Sequence, residues 1–209
     1  MTNVNDNSPV FTSSATFSAA ENQTTIGTVT ATDAESDTLT YSISGSDITI
    51  NSSSGVLTFA SAPDYETKDT YTATVTVSDG ANSTTQDITV NVIDVNEAPV
   101  FTSSDTFSMN ENNTSIGLVR ATDPESDTLT YSISGSDITI NSSTGVIAFA
   151  SAPDYETKNS YSATVTVSNG TDSVTQSITV AITDVDESTP NQAPTISSSA
   201  SFSLAEKNT

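Results

Sequence analysis

The sequence predicts an all-β chain of two tandem, seven-stranded Greek-key sandwiches of immunoglobulin-like type, set end to end. Three observations carry that expectation: the chain repeats itself, each repeat alternates apolar with Thr or Ser, and neither repeat holds a convincing helix. Residues 33–92 align without gaps to 123–182, a shift of 90, with 46 of 60 positions identical. The preceding stretch, 9–32 against 99–122, matches at 17 of 24. A third start follows, since APTISSSASFSLAEKNT at 193–209 repeats APVFTSSDTFSMNENNT at 98–114. The pattern reads as a stretch of a longer tandem array. It divides into a linker at 1–8, a repeat at 9–93, a linker at 94–99, a second repeat at 100–183, a linker at 184–194 and the start of a third repeat at 195–209.

Within one repeat the strands follow in order. A first strand is expected at about Val10–Phe17, then TIGTVTATD (25–33), DTLTYSIS (37–44), ITI (48–50), VLTFA (56–60), YTATVTVSD (71–79) and TTQDITVNVID (84–94). Tyr71, Ala73, Val75 and Val77 alternate with Thr and Ser, as a strand with one buried face requires. SSSG (52–55), SAP (61–63) and DGAN (79–82) supply turns, and Asn169-Gly170 is a hairpin-type pair. Seven strands in about 90 residues is the count of an immunoglobulin-like sandwich.

Charge and composition narrow the function. Four Lys and Arg stand against 26 Asp and Glu, a net charge of −22. No basic face is available for nucleic-acid phosphates or for an anionic membrane. With no Cys and no His, thiol chemistry, disulfides, Cys/His zinc sites and His-dependent triads are excluded. No apolar run approaches the roughly 18 residues of a membrane-spanning helix, and no N-terminal segment reads as a signal peptide. Paired carboxylates such as Asp64 and Glu66 lack any second catalytic type beside them, so an enzyme is not expected.

The acids gather at five places per repeat, all at expected turns or strand ends. In the first they are AEN (20–22), DAESD (33–37), PDYE (63–66), SDG (78–80) and IDVNEAP (93–99). In the second they are NEN (110–112), DPESD (123–127), PDYE (153–156), SNG (168–170) and TDVDE (183–187). Asp-x-Glu in a turn offers two hard oxygens on one side, which suits Ca²⁺ with its 6–8 oxygen ligands better than Mg²⁺ with its tight octahedron. One acidic turn is ordinary, because Asp and Asn bond their own backbone there. Five in the same order, twice over, are not.

These motifs resemble a cadherin repeat over both units. DVNEAPVF and NVNDNSPVF resemble the DxNDNxPxF linker, AEN and NEN the PEN motif, PDYE the LDRE-type motif, TDAES and TDPES the DxD motif, and SDG and SNG the late-strand Asp position. The resemblance implies Ca²⁺ held at the central junction by Glu21, Asp64 and Glu66, by Asp94, Asn96 and Glu97 of the linker, and by Asp123, Glu125 and Asn169. Seven of these are acids, so two or three Ca²⁺ would bring the cluster near neutrality. At the N-terminal side it implies Asn5, Asp6 and Asn7 with Asp33, Glu35 and Asp79. At the C-terminal side it implies Glu111, Asp154, Glu156, Asp184, Asp186 and Glu187. The sequence departs from the animal pattern at Glu97, Ala98, Glu125 and Asn169, which bears on the outermost ion more than on the inner pair. The linkers, the near-identical copies and the lack of Cys resemble bacterial cadherin-like repeats of large surface adhesins. The resemblance implies an extracellular, cell-surface array for adhesion or spacing, stiffened by Ca²⁺, monomeric in isolation, with neighbouring repeats and a surface protein or polysaccharide as partners. The alternative is a polysaccharide- or protein-binding sandwich attached to a secreted enzyme or surface protein.

Overall fold

A computed structural model describes residues 4–187. The expected start of a third repeat at 195–209, most of the linker before it and residues 1–3 lie outside the described residues. The first repeat carries β1 (Val10–Phe11), β2 (Thr16–Ala20), β3 (Thr25–Thr28), β4 (Ala31–Thr32), β5 (Thr40–Ile43), β6 (Ile48–Ile50), β7 (Val56–Phe59), β8 (Thr70–Ser78) and β9 (Ser83–Ile93). The second carries β10 (Val100–Phe101), β11 (Thr106–Asn110), β12 (Ser115–Leu118), β13 (Ala121–Thr122), β14 (Thr130–Ile133), β15 (Ile138–Ile140), β16 (Val146–Phe149), β17 (Ser160–Ser168) and β18 (Ser173–Thr183). Among the described residues there is no helix.

The seven expected strands of a repeat are present as nine segments, because the first two are each interrupted. β1 pairs antiparallel with β4, whereas β2 pairs in parallel with β9, Thr16 opposite Thr89. The chain therefore changes partners at 12–15, and no single ladder runs through Val10–Phe17. Its backbone groups stay satisfied across the gap, as Thr12 N–H donates to Thr30 O at 2.8 Å and Thr89 N–H to Ala15 O at 2.8 Å. Between β3 and β4, Val29 turns its N–H to Gly55 O at 2.9 Å.

Each repeat is two layers. In the first, a four-stranded sheet of order β2-β9-β8-β5 faces a three-stranded sheet of order β3-β7-β6. In the second the orders are β11-β18-β17-β14 and β12-β16-β15. The long β8–β9 hairpin runs from Thr70 opposite Asn91 to Ser78 opposite Ser83. Along it Val75, Val77, Ile88, Val90 and Val92 turn inward, and Thr and Ser alternate with them. The first core gathers Val29, Ile48, Leu57, Phe59, Val75, Ile88 and Val90, with Tyr71 meeting Phe59 edge-on at 5.0 Å. The second gathers Val119, Ile138, Ile147, Phe149, Val165, Ile178 and Val180 in the same way.

The contacts divide the chain into two compact units whose boundary does not follow the sequence repeat. The first comprises Met1–Val100 with Thr122–Leu129 and Ser168–Ser173; the second comprises Phe101–Ala121, Thr130–Val167 and Val174–Thr209. Two acidic loops of the second repeat thus belong to the first unit.

Candidate metal centre

Glu21 follows the last residue of β2, and that placement buries its side chain to 3% exposure. Its backbone N–H donates to Ile93 O at 3.1 Å. Its carboxylate accepts Val95 N–H on Oε1 and Tyr65 N–H on Oε2, both at 2.8 Å. One buried carboxylate therefore ties the linker and the PDYE turn to the end of β2. Asn22, in the left-handed conformation at φ 60°, closes the corner and turns its amide to Glu97.

Within the same unit Glu21, Glu66, Asp94 and Glu125 each place a carboxylate oxygen within 4.8 Å of the others. Both Oε atoms of Glu125 are buried without a hydrogen-bond partner of normal geometry. Such atoms need a cation or a proton. The Glu125 carboxyl is raised above its ordinary range, first by burial and further by the charges of Asp123 and Glu97, against the pull of its own backbone N–H and that of Glu97. For Glu66 its own backbone N–H is the largest single influence and lowers it. Burial with the charges of Glu21, Asp94 and Glu97 outweighs that bond and leaves the group raised. Four crowded carboxylates, two of them buried or carrying buried oxygens, are a donor set for a hard cation. A second group, Asp123, Glu125 and Asp127, shares Glu125 with the first.

The remaining expected residues divide. Asp64 lies outside that group: it caps its own turn, taking Thr67 N–H at 3.1 Å and Thr67 Oγ1–H at 3.0 Å. Asn96 donates to Asp172 Oδ2 at 2.6 Å and to Glu97 O at 3.2 Å. Asp123 accepts Asp127 N–H on Oδ1 at 3.0 Å and the Asn169 amide on Oδ2 at 3.0 Å.

At the N-terminal side, Asn5 accepts the Asn82 amide at 3.0 Å, Asp6 accepts the Asn7 amide at 3.1 Å, and Asn7 also reaches Glu35. Asp33 Oδ1 takes the N–H groups of Glu35 and Asp37 at 2.9 and 3.1 Å, while Asp33 Oδ2 is buried without a hydrogen-bond partner. Asp79 accepts Ala81 N–H and Asn82 N–H at 2.7 and 2.6 Å. The Asn82 bond holds its carboxyl below the ordinary range, burial opposes it, and Ala81 and the Asn82 and Asn5 side chains add to the lowering.

In the second unit Glu111, Glu156 and Asp184 form a third group, with Glu111 buried and holding Tyr155 and Val185 N–H at 2.8 Å each. Glu156 is raised as Glu66 is: its own backbone N–H lowers it, and burial with the charges of Glu111, Asp184 and Asp154 prevails. Asp154 caps its turn through Thr157 and is lowered by that side chain first. Asn112 reaches Glu187, and Asp186 lies beside it in the chain.

Sequence reasoning missed Asn22, Asn82, Asp127 and Asp172. Asp127 sat inside the quoted DPESD. The exchange of Asp79 and Asn82 for Asn169 and Asp172 was visible on aligning SDGAN with SNGTD.

The family model for the cadherin domain matches residues 14–93 and again 105–183, and the chain belongs to the cadherin family as two tandem repeats. Among curated proteins it is similar to Protocadherin Fat 4 of Homo sapiens, 40% identical over 147 residues, covering 62% of this chain and 3% of the relative. It is also similar to Cadherin EGF LAG seven-pass G-type receptor 2 of Mus musculus, 32% identical over 212 residues, covering 90% of this chain and 7% of the relative. The chain thus spans a small fraction of these relatives. Among solved structures, mouse Cadherin-23 EC22-24 superposes with a TM-score of 0.58 at 26% identity, covering 87% of this chain and 66% of that one. Human Protocadherin-24 EC1-2 Form II shares the fold with a TM-score of 0.63 at 23% identity, covering 85% and 99%. Tandem cadherin repeats are typical of extracellular adhesion proteins, and cadherin domains in general bind Ca²⁺.

Proposed function

We propose that this chain is a non-enzymatic, extracellular spacer or adhesion segment in which Ca²⁺ at the central junction stiffens the link between repeats 9–93 and 100–183. The observation that carries the reading is the convergence of Glu21, Glu66, Asp94 and Glu125 within 4.8 Å, with both Glu125 oxygens buried and without a hydrogen-bond partner of normal geometry. Asn96, Glu97 and Asp123 add oxygens at an outer position of the same centre, where the Asn169 amide faces them. Asp64 and Asp154 add carboxylate oxygens from the PDYE turns, which they also cap through Thr67 and Thr157. Glu111, Glu156, Asp184, Asp186 and Glu187 form the corresponding C-terminal centre, and Asn5, Asp6, Asn7, Asp33, Glu35 and Asp79 the N-terminal one. An ion that draws ligands from both repeats and their linker makes binding and inter-repeat order one equilibrium. A bacterial surface adhesin is the finer part of this reading, supported by the near-identical copies and the absence of Cys; the relatives named above are animal proteins.

Calorimetric titration of chelator-stripped protein with Ca²⁺ tests the reading, together with melting curves in Ca²⁺, Mg²⁺ and chelator. Ca²⁺ is expected to bind with heat and raise the melting temperature, and Mg²⁺ at equal concentration to do much less. Melting curves that are the same in millimolar Ca²⁺ and in chelator overturn it. Small-angle scattering then reads the stiffening directly, as a narrower distance distribution with Ca²⁺ than with chelator.

A further inference from the structure

The two copies of one loop place an acid and an amide in exchanged positions. In the first copy Asp79 forms the turn, accepting Ala81 N–H and Asn82 N–H, and the Asn82 side chain supplies the amide. In the second copy Asn169 forms the same turn, its Oδ1 accepting Thr171 N–H at 3.0 Å and Asp172 N–H at 2.8 Å. The carboxylate has moved three residues on, to Asp172. The turn is kept, but the group at its base changes from an anion to a hydrogen-bond donor.

That donor faces oxygens. Asn169 Nδ2 lies 2.8 Å from Glu97 O, 3.0 Å from Asp123 Oδ2 and 3.3 Å from Asn96 Oδ1, all inside the first compact unit. A carboxylate, a backbone carbonyl and an amide carbonyl converging on one point are a hard-cation donor set. The first copy supplies the contrast. Its Asn82 amide meets Asn5 Oδ1 at 3.0 Å and Asn7 O at 3.1 Å, and its third acceptor is Asp79 Oδ2, at 3.4 Å. Asp33, the equivalent of Asp123, is left with Oδ2 buried and without a hydrogen-bond partner. The oxygen that one copy leaves unsatisfied is satisfied in the other by Asn169.

We infer that the Asn169 side-chain amide takes the place of a cation at Asp123, so that the central junction binds one Ca²⁺ fewer than its oxygen set would otherwise hold and keeps the linker attached to loop 168–173 without metal. The inference rests on the Ca²⁺ reading above. Asn96 adds to the metal-free attachment by donating to Asp172 Oδ2 at 2.6 Å. Specificity follows from chemistry: an amide donor repels a cation from the same three oxygens, whereas a carboxylate at 169 would become a fourth oxygen ligand.

The test is Asn169→Asp in the full chain, with Thr171→Asp as a control that adds the same charge to the loop and keeps the amide. Asp at 169 is isosteric, and the first copy shows the turn formed with Asp in that position. Calorimetry on chelator-stripped protein is expected to give one more Ca²⁺ per chain for Asn169→Asp than for the unaltered protein, and no gain for Thr171→Asp. In chelator, Asn169→Asp is expected to melt below the unaltered protein, because a donor is lost and a carboxylate is brought to Asp123. An unchanged Ca²⁺ count in Asn169→Asp, or an equal gain in Thr171→Asp, overturns the inference. If the unaltered protein binds Ca²⁺ and Asn169→Asp gains none, the inference fails and the junction reading stands. If the unaltered protein binds none, the junction reading fails, and an ion gained only by Asn169→Asp would still support the inference.

Discussion

The carboxylate of Glu21 holds the backbone N–H of Val95 at 2.8 Å, across 74 residues of sequence, while its other oxygen holds Tyr65. Both bonds are part-buried, and the Glu21 side chain itself is buried. Glu111 repeats them with Val185 and Tyr155. The first residue of the candidate metal centre is therefore also a structural clasp on the linker.

Glu21→Gln keeps one acceptor and turns an NH₂ group toward either Val95 or Tyr65, leaving a buried backbone donor unpaired. The expected loss is about 1–3 kcal/mol of unfolding free energy in chelator. Urea titration with chelator present measures it apart from any metal effect. Glu66→Gln, which removes a charge from the same cluster and neither bond, is the reference, and a Glu21→Gln variant as stable as it would mean that neither bond is held in solution.

A backbone clasp is tested by Gly55, which sits at φ 69° with its missing Cβ 2.2 Å from Val29 O. Gly45, at φ 89°, has open space around the same atom. Gly45→Ala reports the conformational cost of a left-handed residue alone, about 1–2 kcal/mol. Gly55→Ala is expected to cost more, because backbone must shift as well. Thermal melts showing the two variants equally destabilised would mean that the close approach to Val29 O adds no cost.

Most of the sandwich was legible in the sequence because alternation and repetition are local signals. Val75, Val77, Ile88 and Val90 announced their buried face through the Thr and Ser between them. The broken first strand was read as one because Val10, Phe11, Thr16 and Phe17 favour β structure on either side of the short stretch 12–15, and only its partners reveal the switch from β4 to β9. At the candidate centre, Glu21, Glu66, Asp94 and Glu125 were nameable because their motifs resemble those of a cadherin repeat. What spacing could not tell is which oxygens a turn consumes. Asp64, expected as a ligand, also gives both its oxygens to Thr67, as Glu21 gives both of its own to Val95 and Tyr65. Asn169 reads as a weakened ligand, yet its amide faces three oxygens, a matter of direction that residue type leaves open.

Stability in chelator should have an unusual pH dependence. Glu66, Glu125 and Glu156 have folded values raised above the ordinary 4.5, so the folded state binds protons more readily than the unfolded one there. Their contribution to stability falls as pH rises through that window and is regained on acidification. Asp79 and Asp154 are lowered from 3.8, so their contribution is present above that value and lost as pH falls below it. Without metal, the melting temperature is expected to rise as pH drops from 7 toward the ordinary Glu value and to fall again below the ordinary Asp value. Glu66→Gln with Glu125→Gln should flatten the first limb. With Ca²⁺ present the first limb should reverse, because protons then compete with the ion. A chelator profile that declines steadily from pH 7 downward contradicts the raised carboxyls.

The two PDYE turns offer the sharpest comparison of the metal centres. Glu66 and Glu156 are sequence equivalents, each lies within a turn capped by Asp64 or Asp154, and each is raised by burial and by neighbouring acids. Their companions differ. Glu66 meets Glu21, Asp94 and, from the loop at 122–129, Glu125, whereas Glu156 meets Glu111 and Asp184 among the described residues. Affinity for a hard cation rises with the number of carboxylates that surround it. The group containing Glu66 should therefore fill first, and Glu66→Ala should weaken the tightest Ca²⁺ step by tenfold or more, on the order of 1.4 kcal/mol for each factor of ten. Glu156→Ala should leave that step in place and alter only a weaker one. Both variants keep Glu21 and Glu111, so the backbone clasps survive and a folding defect is not the expected cause of either change. Calorimetry and Ca²⁺-dependent melting on the two variants measure the difference. Equal losses from both would show that the fourth carboxylate, Glu125, adds nothing and that each PDYE turn binds its ion within its own repeat.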